Sequence, residues 1–151
     1  MNHVRRLYSW EILEILPLLH KFNEESGYGY PIDDTTVLHS LVDLILTKRG
    51  VVMVHIVDNK IVGVLGGMIT TFFGSQTERA SELFFYIDPE FRGGSAAVRM
   101  VKCYIEWSKE VGVGRCQMIA LASTDTEGKV RQFYEHLGLN LVETAFEIRN
   151  H

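Results

Sequence analysis

Residues 87 to 99 read Ile87-Asp-Pro-Glu-Phe-Arg-Gly-Gly-Ser-Ala-Ala-Val-Arg99, and this stretch decides the reading of the fold. Ahead of it, Ser81 to Asp88 alternates as a strand does, with Leu83, Phe85 and Ile87 on one face and Glu82, Phe84 and Tyr86 on the other. Pro89 stops that strand. Behind it, Ser95 to Val111 has helical spacing, with Val98, Val101 and Ile105 turned inward and Arg99, Lys102, Glu106 and Lys109 forming a charged stripe. Cys116 to Ala122 then runs continuously apolar, as a strand buried on both faces does. Strand, helix and strand in this order form a crossover, which places one parallel pair in the sheet.

Working outward, the elements upstream are a short strand at His3 to Leu7 and a helix from about Ser9 to Ser26, which Ser9 caps and Pro17 kinks or divides. A loop follows at Gly27-Tyr-Gly-Tyr-Pro31. A second helix starts near Asp33 or Asp34 and ends at Gly50. Val51 to Val57 and Ile61 to Phe73 flank Asp58-Asn59-Lys60 as a hairpin, and Gly63, Gly66 and Gly67 in its second arm mark a bulge or a close approach of backbone. Downstream, Glu127 to Leu137 is a helix stopped by Gly138, and Val142, Thr144, Phe146 and Ile148 alternate as a last strand. The expected architecture is a single domain spanning residues 1–151, of mixed α/β class, with a mostly antiparallel sheet holding one parallel pair.

Composition narrows the function. The 151 residues are 46% apolar and 23% charged, which suits one globular core and excludes disorder and disulfide-dense scaffolds. Fifteen Lys+Arg against nineteen Asp+Glu leave a formal charge of -4, which argues against a protein that holds nucleic acid by neutralising phosphates. Two cysteines, Cys103 and Cys116, and six scattered histidines show no metal-ligand spacing, so no metal is expected. Arg5, Arg6, Glu11 and Glu14 interrupt any secretory signal and no apolar run is long enough for a bilayer, so a cytoplasmic protein without a membrane partner is the expectation.

The Gly-rich turn carries the chemistry. A helix N-terminus leaves about four backbone N–H groups unpaired and adds roughly half a positive charge. Gly93, Gly94, Ser95, Ala96 and Ala97 lack bulk, so a phosphate can reach those amides, with Arg92 adding charge beside them. No Gly-Lys-Ser/Thr follows, and no acidic residue stands where a dinucleotide fold needs one, so the ligand is not recognised as ATP or NAD is. Taken alone, the segment fits either a phosphate cradle or a tight turn without a ligand.

Arg92-Gly-Gly-Ser-Ala-Ala97, with its lead-in Ile-Asp-Pro-Glu-Phe, resembles the Arg/Gln-x-x-Gly-x-Gly/Ala signature of the GNAT superfamily of N-acetyltransferases. Phe133-Tyr-Glu-His-Leu-Gly-Leu139 resembles that family's second signature, and the element order follows the family over nearly the whole chain. Two departures stand out: Ser95 replaces a usual glycine, and Glu127 stands where an asparagine often precedes the last helix.

The resemblance implies a GNAT-like fold with helices on both faces of the sheet. It implies acetyl-CoA as cosubstrate, its diphosphate on Gly93 to Ala97 and its pantetheine arm bonded to backbone near Phe85 and Ile87, with Met118 to Leu121 as the opposite wall. It implies transfer to an amine on a small molecule, peptide or protein. Tyr134 is the matching proton donor to the departing thiolate, or else a core tyrosine. Glu82 is the candidate base, or else a carboxylate facing solvent. Glu25, Tyr28 and Tyr30 fall in the acceptor loop. A homodimer is compatible with the resemblance, and a non-catalytic CoA-binding domain is the alternative to an enzyme.

Overall fold

The computed structural model describes residues 2–122 and 124–150. Its elements run β1 (Asn2–Arg6), a 3-10 helix (Ser9–Ile15), α1 (Leu16–Ser26), α2 (Asp34–Leu46), β2 (Gly50–Val57), β3 (Lys60–Thr71), β4 (Glu78–Ile87), α3 (Ala96–Glu110), β5 (Cys116–Gln117) and α4 (Lys129–His136). The sheet order is β1-β2-β3-β4-β5, antiparallel except for the β4–β5 pair. Local chemistry accounts for most boundaries. Pro17, in the first turn of α1, divides the predicted first helix into a 3-10 stretch and an α-helix. Ser9 does not cap that stretch; instead the Glu11 carboxylate accepts the Tyr8 N–H at 2.8 Å and pairs with Arg5. Asp33 caps α2, accepting from the Thr36 N–H at 2.9 Å. Asp58 and Asn59 both take left-handed backbone angles, as a tight hairpin between twisted strands requires.

The sheet is covered on both faces. Val52, Val54, Ile56, Val64, Phe84 and Tyr86 pack under α1 and α2, while Val51, Met53, Leu65 and Ile69 pack under α3 with Met100, Val101, Tyr104 and Trp107. The inward stripe of α3 is thus centred on Met100 and Tyr104, beside the Val101 expected from spacing. Gly66 and Gly67 answer both readings of the glycine cluster. A Cβ on Gly66 would meet the Phe84 ring at 2.3 Å, and one on Gly67 would meet Tyr104 at 2.3 Å, so rings lie against bare backbone there. The β3–β4 register also shifts between Gly66 and Gly67, where Leu83 is the extra residue.

That bulge overturns one expectation. Simple alternation puts Glu82 with Phe84 and Tyr86, but an inserted residue inverts the phase, and Glu82 shares the α3–α4 face with Phe85 and Ile87. Two strands also differ from expectation. β5 holds only Cys116 and Gln117, after which residues 118–122 leave β4. The final strand is absent: residues 139–150 have no regular structure, and Val142, Phe146 and Ile148 stand 73%, 95% and 82% exposed. A strand needs a partner edge, and a two-residue β5 offers too short a ladder to build on. The tail is held instead by side chains. Arg149 donates to the carbonyls of Gly27 and Tyr28, and the Tyr30 hydroxyl donates to Glu147 at 3.1 Å.

Candidate active site

Divergence of β5 from β4 opens a cleft of about 420 Å³. Asp88 donates its N–H to Val62 at 2.8 Å, so the alternation of an antiparallel ladder turns the backbone groups of Phe84 and Tyr86 toward β3 and those of Phe85 and Ile87 into the gap. Beyond Ser81, β4 has no strand partner on this side among the described residues. The Ile87 carbonyl is occupied by Arg92 Nε at 2.6 Å, which leaves its N–H and both groups of Phe85 for a ligand.

One end of the cleft is the head of α3. The helix's first hydrogen bond is Arg99 N–H to Ser95 C=O at 3.1 Å, so the amides of Ala96, Ala97 and Val98 have no intrahelical acceptor. A Cβ built on Gly93 or Gly94 meets nothing within 4 Å, so the amides there stand open to an approaching group. Gly93, at φ +92°, is held in a conformation that favours glycine. Bare amides, open space and the positive pole of a helix together fit a diphosphate.

At the other end stand Glu82 and Tyr134, whose side chains both reach Ile119. The Ile119 N–H donates to the Glu82 carboxylate, and the Tyr134 hydroxyl donates to the Ile119 carbonyl at 3.0 Å. Burial of Glu82 in this apolar wall pushes its carboxyl up to about 8, against the smaller opposing pull of the Ile119 N–H. Burial also raises Tyr134 far above an ordinary phenol, with the charges of Glu82 and Asp125 adding to it. Tyr134 is therefore a neutral phenol, a hydrogen-bond donor that holds its proton more tightly than an ordinary tyrosine.

Most of the residues singled out in the sequence meet in this cleft: Glu82, Phe85, Ile87, Arg92, Gly93, Gly94, Ala96, Ala97, Tyr134 and Glu25 all line it. Ser95, Tyr28 and Tyr30 do not. Ser95 is the N-terminal cap of α3 and its hydroxyl makes no capping bond, and the two tyrosines stand 40% and 60% exposed against the tail. Sequence reasoning missed Asp125, whose side chain is only 3% exposed and accepts the N–H groups of Val130 and Arg131 at 2.9 and 3.3 Å. It fixes the start of α4 and hence Tyr134. An Asp a few residues before a helix is a recognisable capping signal. Glu127 pairs with Lys129 at the surface. No group of three or more His, Cys, Asp or Glu among the described residues could hold a metal ion, and no helix there is long and apolar enough to cross a membrane.

A parallel pair splayed around a cleft that ends on a helix N-terminus is the arrangement that the resemblance to the GNAT superfamily implies. The chain matches the acetyltransferase (GNAT) family over residues 13–139. It belongs to that family. A predicted acetyltransferase from Clostridium acetobutylicum, solved with acetyl-CoA, superposes with a TM-score of 0.80 at 17% identity, covering 99% of this chain and 96% of that one. An aminoglycoside acetyltransferase from an uncultured soil metagenomic sample, solved with trehalose, gives 0.76 at 17% identity over 99% and 95% of the two chains. A ribosomal-protein-alanine N-acetyltransferase from Brucella melitensis biovar Abortus 2308 gives 0.75 at 17% identity over 100% and 99%. No curated protein matches the sequence.

Proposed function

We propose that the chain transfers the acetyl group of acetyl-CoA to a primary amine by direct attack in a ternary complex. One observation carries this reading: a single cleft runs from the bare amides heading α3, along the unpaired edge of β4, to Glu82 and Tyr134. Bound there, acetyl-CoA supplies an acetyl group activated as a thioester. The amides of Gly93 to Ala97 hold the diphosphate, with Arg92 beside them. The backbone of Phe85 and the N–H of Ile87 pair with the amide-bearing arm as a strand edge pairs with an extended peptide.

Glu82 is the base. A lysine-like ammonium has a pKa of about 10.4, so proton transfer to a carboxylate at 4.5 is uphill by about 8 kcal/mol, and to one at about 8 by about 3 kcal/mol. Burial of Glu82 thus removes most of that obstacle. Tyr134 donates toward the departing sulfur by rotating its hydroxyl away from the Ile119 carbonyl. A gap-facing N–H of β4 meets the charge that develops on the carbonyl oxygen, a contribution of about 3 kcal/mol in comparable sites.

Glu25, in the cleft wall, favours a cationic acceptor. The aminoglycoside and ribosomal-protein-alanine acetyltransferases among the structural neighbours suggest the panel to assay: an aminoglycoside, a peptide with N-terminal alanine, a lysine peptide and a polyamine. CoA release with at least one of these, together with a rise in melting temperature on adding acetyl-CoA, is the expected result. Stabilisation without turnover on any amine favours a CoA-binding domain instead, and no stabilisation refutes the cofactor assignment.

A further inference from the structure

Arg92 has two claimants, and the inference drawn from this rests on the acetyl-CoA reading above. Its Nη1 lies 3.0 Å from Glu25 Oε1 and its Nη2 donates to Glu25 Oε2 at 3.1 Å. Its Nε donates to the Ile87 carbonyl, and its guanidinium carbon lies 5.2 Å from the centre of the Tyr86 ring. Glu25 belongs to the last turn of α1 and Arg92 to the loop entering α3, so the pair bridges the mouth of the cleft. In a fork-to-fork pair both outer nitrogens of the guanidinium turn their parallel N–H groups to one carboxylate. With Nε held by the Ile87 carbonyl, an anion seated on the amides of Gly93 to Ala97 can take a bidentate hold on the guanidinium only by displacing Glu25. A diphosphate carries more charge than a carboxylate and offers the same bidentate geometry. The bond to Ile87 and the Tyr86 ring keep the guanidinium in place while its partner changes.

We infer that Glu25 holds Arg92 across the cleft mouth in the free protein and yields it to the cofactor diphosphate. Glu25 is then a positioning residue, and its carboxylate faces the cleft without a cation only when the cofactor is seated. Both side chains are 41% exposed, so the bridge is of the surface kind and opposes cofactor binding by a factor of about two to five.

Calorimetric titration with CoA across a double-mutant cycle tests the exchange. Glu25→Ala tightens the Kd about threefold, and Arg92→Gln weakens it about tenfold or more. In the Arg92→Gln background, Glu25→Ala brings no gain, because nothing remains to release. An equal gain in both backgrounds shows simple repulsion between Glu25 and the diphosphate and overturns the inference. So does a Glu25→Ala protein that binds CoA no more tightly than wild type. Wild-type protein that fails to bind CoA overturns the cofactor reading instead, which keeps the two failures apart.

Discussion

Replacing Glu82 by glutamine separates a buried base from a bystander. The wild-type carboxyl titrates at about 8, so about one molecule in eleven is ionised at pH 7 and about ten in eleven at pH 9. Turnover limited by this base rises about tenfold across that interval. The amine acceptor contributes its own rise at higher pH, so the decisive comparison is between proteins: the wild-type profile bends near pH 8 and that of Glu82→Gln does not. Stability moves the opposite way. In the fold the carboxyl keeps its proton between 4.5 and about 8, where the unfolded chain has lost it. Because the native state binds more protons in that window, the contribution of Glu82 to stability is fully present below 4.5 and is lost as pH rises to about 8, by about 5 kcal/mol in total as an upper figure. Glutamine still offers the Ile119 N–H an oxygen but does not ionise, so the variant escapes this loss. Chemical denaturation at pH 5 and pH 9 therefore shows the two proteins nearly equal at pH 5 and the variant ahead at pH 9. A stability difference independent of pH, or a bend near pH 8 retained by the variant, refutes the argument that burial tunes Glu82.

Tyr134→Phe lowers turnover at least about tenfold while acetyl-CoA affinity stays nearly unchanged, and it costs about 1 to 2 kcal/mol of stability because the Ile119 carbonyl loses its donor; unaltered turnover removes Tyr134 from the mechanism. Gly94→Asp abolishes CoA binding by calorimetry with little change in melting temperature, since a Cβ at this position meets nothing within 4 Å; normal affinity would end the phosphate assignment. Gly67→Ala forces a methyl into Tyr104 and destabilises the protein by about 1 to 3 kcal/mol in denaturant unfolding, while a neutral effect shows that the ring moves freely.

Some of the site was legible in the chain because its chemistry is local. Gly93, Gly94, Ala96 and Ala97 announce bare amides by their lack of side chains, wherever the helix packs. The 3.6-residue spacing of Val130, Phe133, Tyr134 and Leu137 places Tyr134 on the buried face of α4 from sequence alone. Arg92 is likewise marked by its adjacency to the glycines. The alternation that makes β4 a strand, however, does not reveal the extra residue within it. The final strand was misread because a period-two pattern states what a segment could pair with, not whether an edge exists to receive it.

The sequence by itself determined the element order through α4, the family signatures and the glycine-rich turn that heads α3, because these depend on residues near one another in the chain. Only the tertiary structure decided that Leu83 bulges and turns Glu82 into the cleft, and that β5 stops after Gln117 to leave the edge of β4 open. It also decided that Glu25 reaches Arg92 and that Asp125 anchors the helix bearing Tyr134. Strand register, ion pairing across the cleft and the burial that raises the Glu82 pKa all arise between segments distant in the chain. Their energies exist only once the sheet and its covering helices have closed.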